Sequence, residues 1–201
     1  AAVWTLDGGW LLVGASESAA SGDKIAKGRG FWVVRLDSLG NKIWDNAYAD
    51  FSTQGPTQQT CSAIVPAAEG GWLLVGSTSR LMTKQMATPY GKIDSDYWDS
   101  DCWIVRIDAN GSKRWDRTFG GQYTDALHAA APAEDNGWLL VGQSSSPPGK
   151  DKSGPARGDE DFWVVRVDAN GKKLWDKTWG GKGLDLCAAV VPSPDGGWLL
   201  A

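Results

Sequence analysis

The sequence predicts an all-β chain of β-propeller blades: three complete four-stranded blades and the first half of a fourth. Three observations predict it. Three separate segments recur in step along the chain, two of the strands in each repeat are apolar at consecutive positions, and ten of the thirteen tryptophans fall at recurring places.

The first recurring segment is Asp7-Gly-Gly-Trp10-Leu-Leu-Val-Gly14, Glu69-Gly-Gly-Trp72-Leu-Leu-Val-Gly76, Asp135-Asn-Gly-Trp138-Leu-Leu-Val-Gly142 and Asp195-Gly-Gly-Trp198-Leu-Leu200, with tryptophans 62, 66 and 60 residues apart. The second is Phe31-Trp32-Val-Val-Arg35, Cys102-Trp103-Ile-Val-Arg106 and Phe162-Trp163-Val-Val-Arg166, spaced by 71 and 60. The third follows at a fixed offset and ends in Trp44-Asp45, Trp115-Asp116 and Trp175-Asp176. Self-similarity at such a period marks a repeat architecture.

Each repeat resolves into four strands. Strand A is short and made of small residues (Cys61 to Val65, Ala129 to Ala131, Cys187 to Val191) and ends at Pro66, Pro132 or Pro192, a residue unable to donate to a ladder. An acidic, glycine-rich turn leads into strand B, Trp-Leu-Leu-Val-Gly. Strand C is Trp-Val-Val-Arg, and a turn such as Asp108-Ala-Asn-Gly111 leads to strand D with its Trp-Asp. The glycine of that turn suits a position of positive φ.

Consecutive apolar residues in strands B and C imply burial of both faces, which an antiparallel meander obtains when sheets stack on either side of it, as around a propeller axis. Trp10, Trp32, Trp44, Trp72, Trp103, Trp115, Trp138, Trp163 and Trp175 are expected to pack blade against blade. A tryptophan burying 150–250 Å² contributes roughly 4–6 kcal/mol as an upper bound. The blades are expected over residues 1–50, 51–121, 122–181 and, for the half blade, 182–201. Three and a half blades leave two faces uncovered, so the chain is expected to be part of a longer protein or to associate with copies of itself.

The formal charge of −4 and pI near 5.0 offer no electrostatic reason for a nucleic-acid partner, and no apolar run reaches the length of a membrane span. Cys61, Cys102 and Cys187 show no metal-ligand spacing and are expected as small buried hydrophobes. The first residues, Ala1-Ala-Val-Trp4, have neither a basic region nor a hydrophobic signal core, as expected of a processed or internal segment.

The string Gly-Gly-Trp-Leu-Leu-Val-Gly, then Gly22-Asp-Lys24 or Lys150-Asp-Lys-Ser153 with Arg157-Gly158, then Asp161-Phe-Trp-Val-Val-Arg-Val-Asp-Ala-Asn-Gly-Lys-Lys-Leu-Trp-Asp-Lys-Thr-Trp-Gly-Gly181, resembles the propeller repeats of large secreted proteins exported by bacterial type IX secretion. The resemblance spans nearly the whole chain and implies an exported, extracellular or cell-surface protein. The stretch Asp168 to Trp175 is also similar, over a shorter length, to the repeats of quinoprotein (PQQ-like) propellers.

Variable segments on a fixed scaffold are where binding is placed. The B–C connections, residues 15–30, 77–100 and 143–160, differ in length and composition and are the expected interaction face. Within them, Asp94, Asp96, Asp99 and Asp101 place four carboxylates in eight residues, an oxygen-rich set of the kind that holds calcium, the single cofactor the sequence suggests. Arg35 with Asp45, Arg106 with Asp116 and Arg166 with Asp176 recur together; parity across a three-residue turn puts each pair on one face as a structural ion pair.

His128 is the only histidine, and no nucleophile elbow, phosphate loop or metal-ligand trio appears. The expected function is therefore a non-catalytic extracellular scaffold that binds a protein, a surface polysaccharide or copies of itself. The competing expectation is an enzyme domain, a glycan hydrolase or quinoprotein-like oxidoreductase, with its active site in blades outside this sequence.

Overall fold

The computed structural model describes residues 1–49, 57–88 and 91–201, and the side chains of these apart from 83–98. All regular structure among the described residues is β: three four-stranded antiparallel sheets and one two-stranded sheet. No helix among them is long and apolar enough to cross a membrane. Sheet I comprises β1 (Ala2–Trp4), β2 (Trp10–Ser16), β3 (Gly30–Leu36) and β4 (Lys42–Tyr48). Sheet II comprises β5 (Thr57–Pro66), β6 (Trp72–Thr88), β7 (Gly91–Ile107) and β8 (Lys113–Phe119). Sheet III comprises β9 (Asp125–Pro132), β10 (Trp138–Ser144), β11 (Asp161–Val167) and β12 (Lys173–Trp179), and sheet IV β13 (Val190–Pro192) and β14 (Trp198–Leu200).

In every sheet the strands follow chain order, a meander. Its register repeats: Trp10 faces Leu36, Trp72 faces Ile107 and Trp138 faces Val167. The C–D turn is tied by its aspartate. Asp37, Asp108 and Asp168 each accept two backbone N–H groups of the turn, and Gly40, Gly111 and Gly171 supply the positive φ that closes it.

Each C–D pair carries a bulge at its arginine, between Arg35/Leu36, Arg106/Ile107 and Arg166/Val167. The extra residue reverses the parity expected from a plain turn. Arg35 lies opposite Trp44 while Asp45 lies opposite Val34, and the other sheets repeat this. The expected pairs Arg35/Asp45, Arg106/Asp116 and Arg166/Asp176 are therefore corrected: arginine and aspartate sit on opposite faces. Arg35 instead binds Asp7, Arg166 binds Asp135 and Arg106 the Gly70 carbonyl. The aspartates take the indole N–H of the strand C tryptophan: Trp32 to Asp45 at 3.0 Å, Trp103 to Asp116 at 3.1 Å and Trp163 to Asp176 at 3.0 Å.

Each sheet thus has an arginine face and a tryptophan–aspartate face, and the stack has a direction. The arginine face of sheet I, with Leu11, Val13, Phe31 and Val33, packs on the tryptophan face of sheet II, with Leu74, Trp103 and Val105. The Phe31 and Trp103 rings meet at 4.3 Å. One step on, Leu73, Val75, Cys102 and Ile104 pack on Leu140, Trp163 and Val165 of sheet III, and Leu139, Val141 and Val164 then pack on Cys187 and Val190 beside sheet IV. All three cysteines are free and buried in these layers.

The strand D tryptophan docks under the next sheet's turn. A Cβ at Gly111 would come within 2.8 Å of the Trp44 ring, and one at Gly171 within 2.6 Å of Trp115. Tyr48 adds an O–H bond of 2.5 Å to the Gly111 carbonyl. Of the nine tryptophans expected to pack blade against blade, Trp103, Trp138 and Trp163 are buried, Trp32, Trp44, Trp72 and Trp115 half-buried, and Trp10 and Trp175 more exposed.

Candidate binding edge

The sheets have two edges. One carries the short A–B and C–D turns; the other carries the long B–C connections and the D–A crossings. The B–C connections of sheets I and III are folded alike. An isolated bridge joins Ser21 to Lys24 in the first and Gly149 to Lys152 in the third. Behind each bridge the chain is fastened to the strand D aspartate, since Ile25 and Ala26 donate N–H groups to Asp45, each at 3.0 Å, and Ser153 donates to Asp176 at 2.9 Å. A lysine three residues before that aspartate completes the clamp: Lys42 and Lys173 bind it and also the carbonyls of Asp23 and Asp151.

Burial opposes ionisation of Asp45. The hydrogen bonds from Ala26, Trp32 and Lys42 outweigh it and hold the carboxyl below its ordinary range. Asp176 is held low by the same contest, burial against the bonds from Lys173, Ser153 and Trp163.

In sheet II the connection is built differently. The ladder between β6 and β7 runs on from Gly76 opposite Trp103 to Thr88 opposite Gly91, a long hairpin rather than the loop expected over 77–100. The proposed calcium ligands lie along it. At about 3.3 Å per strand residue, the backbone positions of Asp94 and Asp101 are roughly 23 Å apart along it. The side chains of Asp94 and Asp96 lie outside the described residues. Asp99 binds Arg80 at 2.9 Å and Asp101 binds Lys150 of the next sheet's loop at 3.4 Å. Among the described residues no group of three or more His, Cys, Asp or Glu is disposed to hold a metal ion.

A buried polar cluster lies where the loop edge passes from sheet II to sheet III. Asp125, at the start of β9, accepts the Gly121 N–H at 2.7 Å and the Ser146 hydroxyl at 2.9 Å. Burial pushes its carboxyl up to about 6, against the opposing bonds from Ser144, Gly121 and Ser146. Asp161, at the start of β11, accepts the Arg157 N–H at 2.7 Å. Lys152 is buried close by. Removal from water lowers the affinity of its amine for the proton, while the charges of Asp125, Asp161 and Asp176 raise it. Lys152 Nζ, one oxygen each of Asp125 and Asp161, and the Thr178 hydroxyl make no hydrogen bond. The matching Lys24 of sheet I donates to the carbonyls of Ser18 and Gly28.

This cluster is closed to solvent, so its role is to hold the loops in place. The loop edge presents outward Ile25 of sheet I and Lys150 and Arg157 of sheet III, all exposed. Beside the cluster, His128 Nε2 meets the Gln143 side chain at 2.5 Å, and Gln143 donates to Glu160 at 2.7 Å.

Sequence reasoning did not single out Lys24, Lys152 or Asp125 as site residues, although a signal for Asp125 exists. Gly120-Gly-x-x-x-Asp125 recurs as Gly180-Gly-x-x-x-Asp185, and Gly181 donates to Asp185 at 2.7 Å as Gly121 does to Asp125. Compared with known proteins, the chain matches no family model and no curated protein.

Proposed function

We propose that the chain is a β-propeller segment of an exported bacterial protein, acting outside the cell or at its surface as a non-catalytic scaffold whose loop edge binds a protein or a surface polysaccharide. One observation carries this reading. The three full sheets keep the same register and bulges while the B–C connections diverge into two clamped loops and one long hairpin. A scaffold held constant under divergent, anchored loops is the arrangement of a binding protein. The uniform direction of stacking, arginine face on tryptophan face, supports radial arrangement of the sheets.

The test is adhesion of the labelled chain to intact bacterial cells and to polysaccharide prepared from their surface. Replacing Ile25, Lys150 and Arg157 together by serine should abolish adhesion without changing the melting temperature. Adhesion that survives this change, or release of new reducing ends from the polysaccharide, overturns the reading, the second in favour of an enzyme.

A further inference from the structure

On its turn edge sheet II departs from its sisters at three points, and the three meet at one cleft. The cleft opens on the turn edge, away from the loops, between sheets II and III. It encloses about 530 Å³ and its walls include Glu69, Arg106, Asp108, Arg114, Trp115 and Asn170. The first departure is the turn acid, which is aspartate at 7, 135 and 195 but glutamate at 69. The second is the turn backbone. Gly71 has φ +77° whereas Gly9 and Gly137 do not have positive φ, and the Gly70 carbonyl accepts the Arg106 NH2 group that in the sister sheets goes to the turn aspartate. The third is the residue before the strand D tryptophan, Ile43 in sheet I and Leu174 in sheet III but Arg114 in sheet II.

These changes convert an apolar shoulder into a polar cleft. Arg106 is buried and donates to the backbone carbonyls of Gly70, Trp72 and Ile107. Glu69 consequently stands exposed at the rim, and Arg114 reaches across to Asp108 at 3.2 Å. Two guanidinium groups and two carboxylates leave the lining without net charge, so it is matched to a neutral ligand that both donates and accepts hydrogen bonds. Its volume falls in the range of small-molecule sites. We infer that this cleft binds a neutral saccharide. Glu69 and Asp108 accept from its hydroxyls, and Arg114 and Asn170 donate to them. The inference concerns the turn edge and stands independently of what the loop edge binds.

The test is calorimetric titration of the full chain with maltohexaose, cellohexaose and laminarihexaose, with hexagalacturonate as the charged counterpart. At least one neutral oligosaccharide should bind. The double variant Glu69→Asp/Arg114→Ile restores the residues that sheet I carries and should weaken binding about tenfold or more, with the melting temperature unchanged. Asn170→Ala, an exposed position, provides a second variant and should weaken it about threefold or more. Absence of binding by all three neutral oligosaccharides, binding of hexagalacturonate alone, or wild-type affinity in both variants overturns the inference.

Discussion

Sheets I and II share Trp-Leu-Leu-Val-Gly in strand B, yet the same letters lead different lives. Leu74 of sheet II is fully buried, whereas the matching Leu12 of sheet I is 38% exposed; Trp10 is 40% exposed where Trp138 of sheet III is 2% exposed. The register of these strands is the same, so the difference comes from neighbours. Sheet II lies between two sheets, while among the described residues none covers the tryptophan face of sheet I, where Trp4 and Trp10 pack edge to face at 4.7 Å. Burial energy in this molecule therefore belongs to interfaces between sheets rather than to individual strands.

The largest break in that comparison should come from the tryptophan that crosses a filled interface. Trp103→Ala removes a buried indole bonded to Asp116 and packed on Phe31 and is expected to cost about 3–5 kcal/mol. Trp32→Ala, on the uncovered face, is expected to cost roughly half as much, and equal losses in urea unfolding would refute the layered account. Next comes Leu74→Ala, expected at about 2–4 kcal/mol against less than about 1 for Leu12→Ala, read from the same unfolding curves.

A smaller effect separates two glycines with the same turn role. Gly171→Ala must fit a Cβ at φ +76° against Trp115, while Gly40→Ala, at φ +85°, meets nothing within 4 Å. Thermal unfolding should show a loss of about 2–3 kcal/mol for the first and about 1 for the second; similar losses would mean that turn strain alone matters and the docking of Trp115 does not.

The smallest expected effect is the pH dependence carried by Asp125. Its folded value, about 6, lies above the ordinary 3.8, so the folded state holds its proton more tightly. This contribution is fully present below about pH 3.8 and is lost as pH rises through about 6. Asp125→Asn should therefore stabilise the chain by about 1 kcal/mol at pH 7, and little at pH 4. A variant less stable at pH 7 would instead make the charged carboxylate, facing Lys152, the favoured partner.

Much of the fold was legible because a repeat displays its own alignment. Strand order, the Asp-Ala-Asn-Gly turns and the apolar B and C strands follow from three segments recurring in step. The arginine–aspartate partners were not legible, because one bulged residue at Arg35 and its equivalents inverts the parity on which they were inferred. The extended course of β7, which carries the acids expected to hold calcium, was not legible either, because the segment was read as a loop. Lys152 escaped notice because a lysine in a polar loop reads as solvated until the loop folds over it.

By itself, then, the sequence determined the four-strand order of each repeat and its short C–D turns, which rest on local periodicity and backbone propensity. Only the tertiary structure decided which acid meets which base, which tryptophans are covered, and where the polar cleft of sheet II opens. Those outcomes depend on face and register between segments far apart in the chain, and a single inserted residue reverses them.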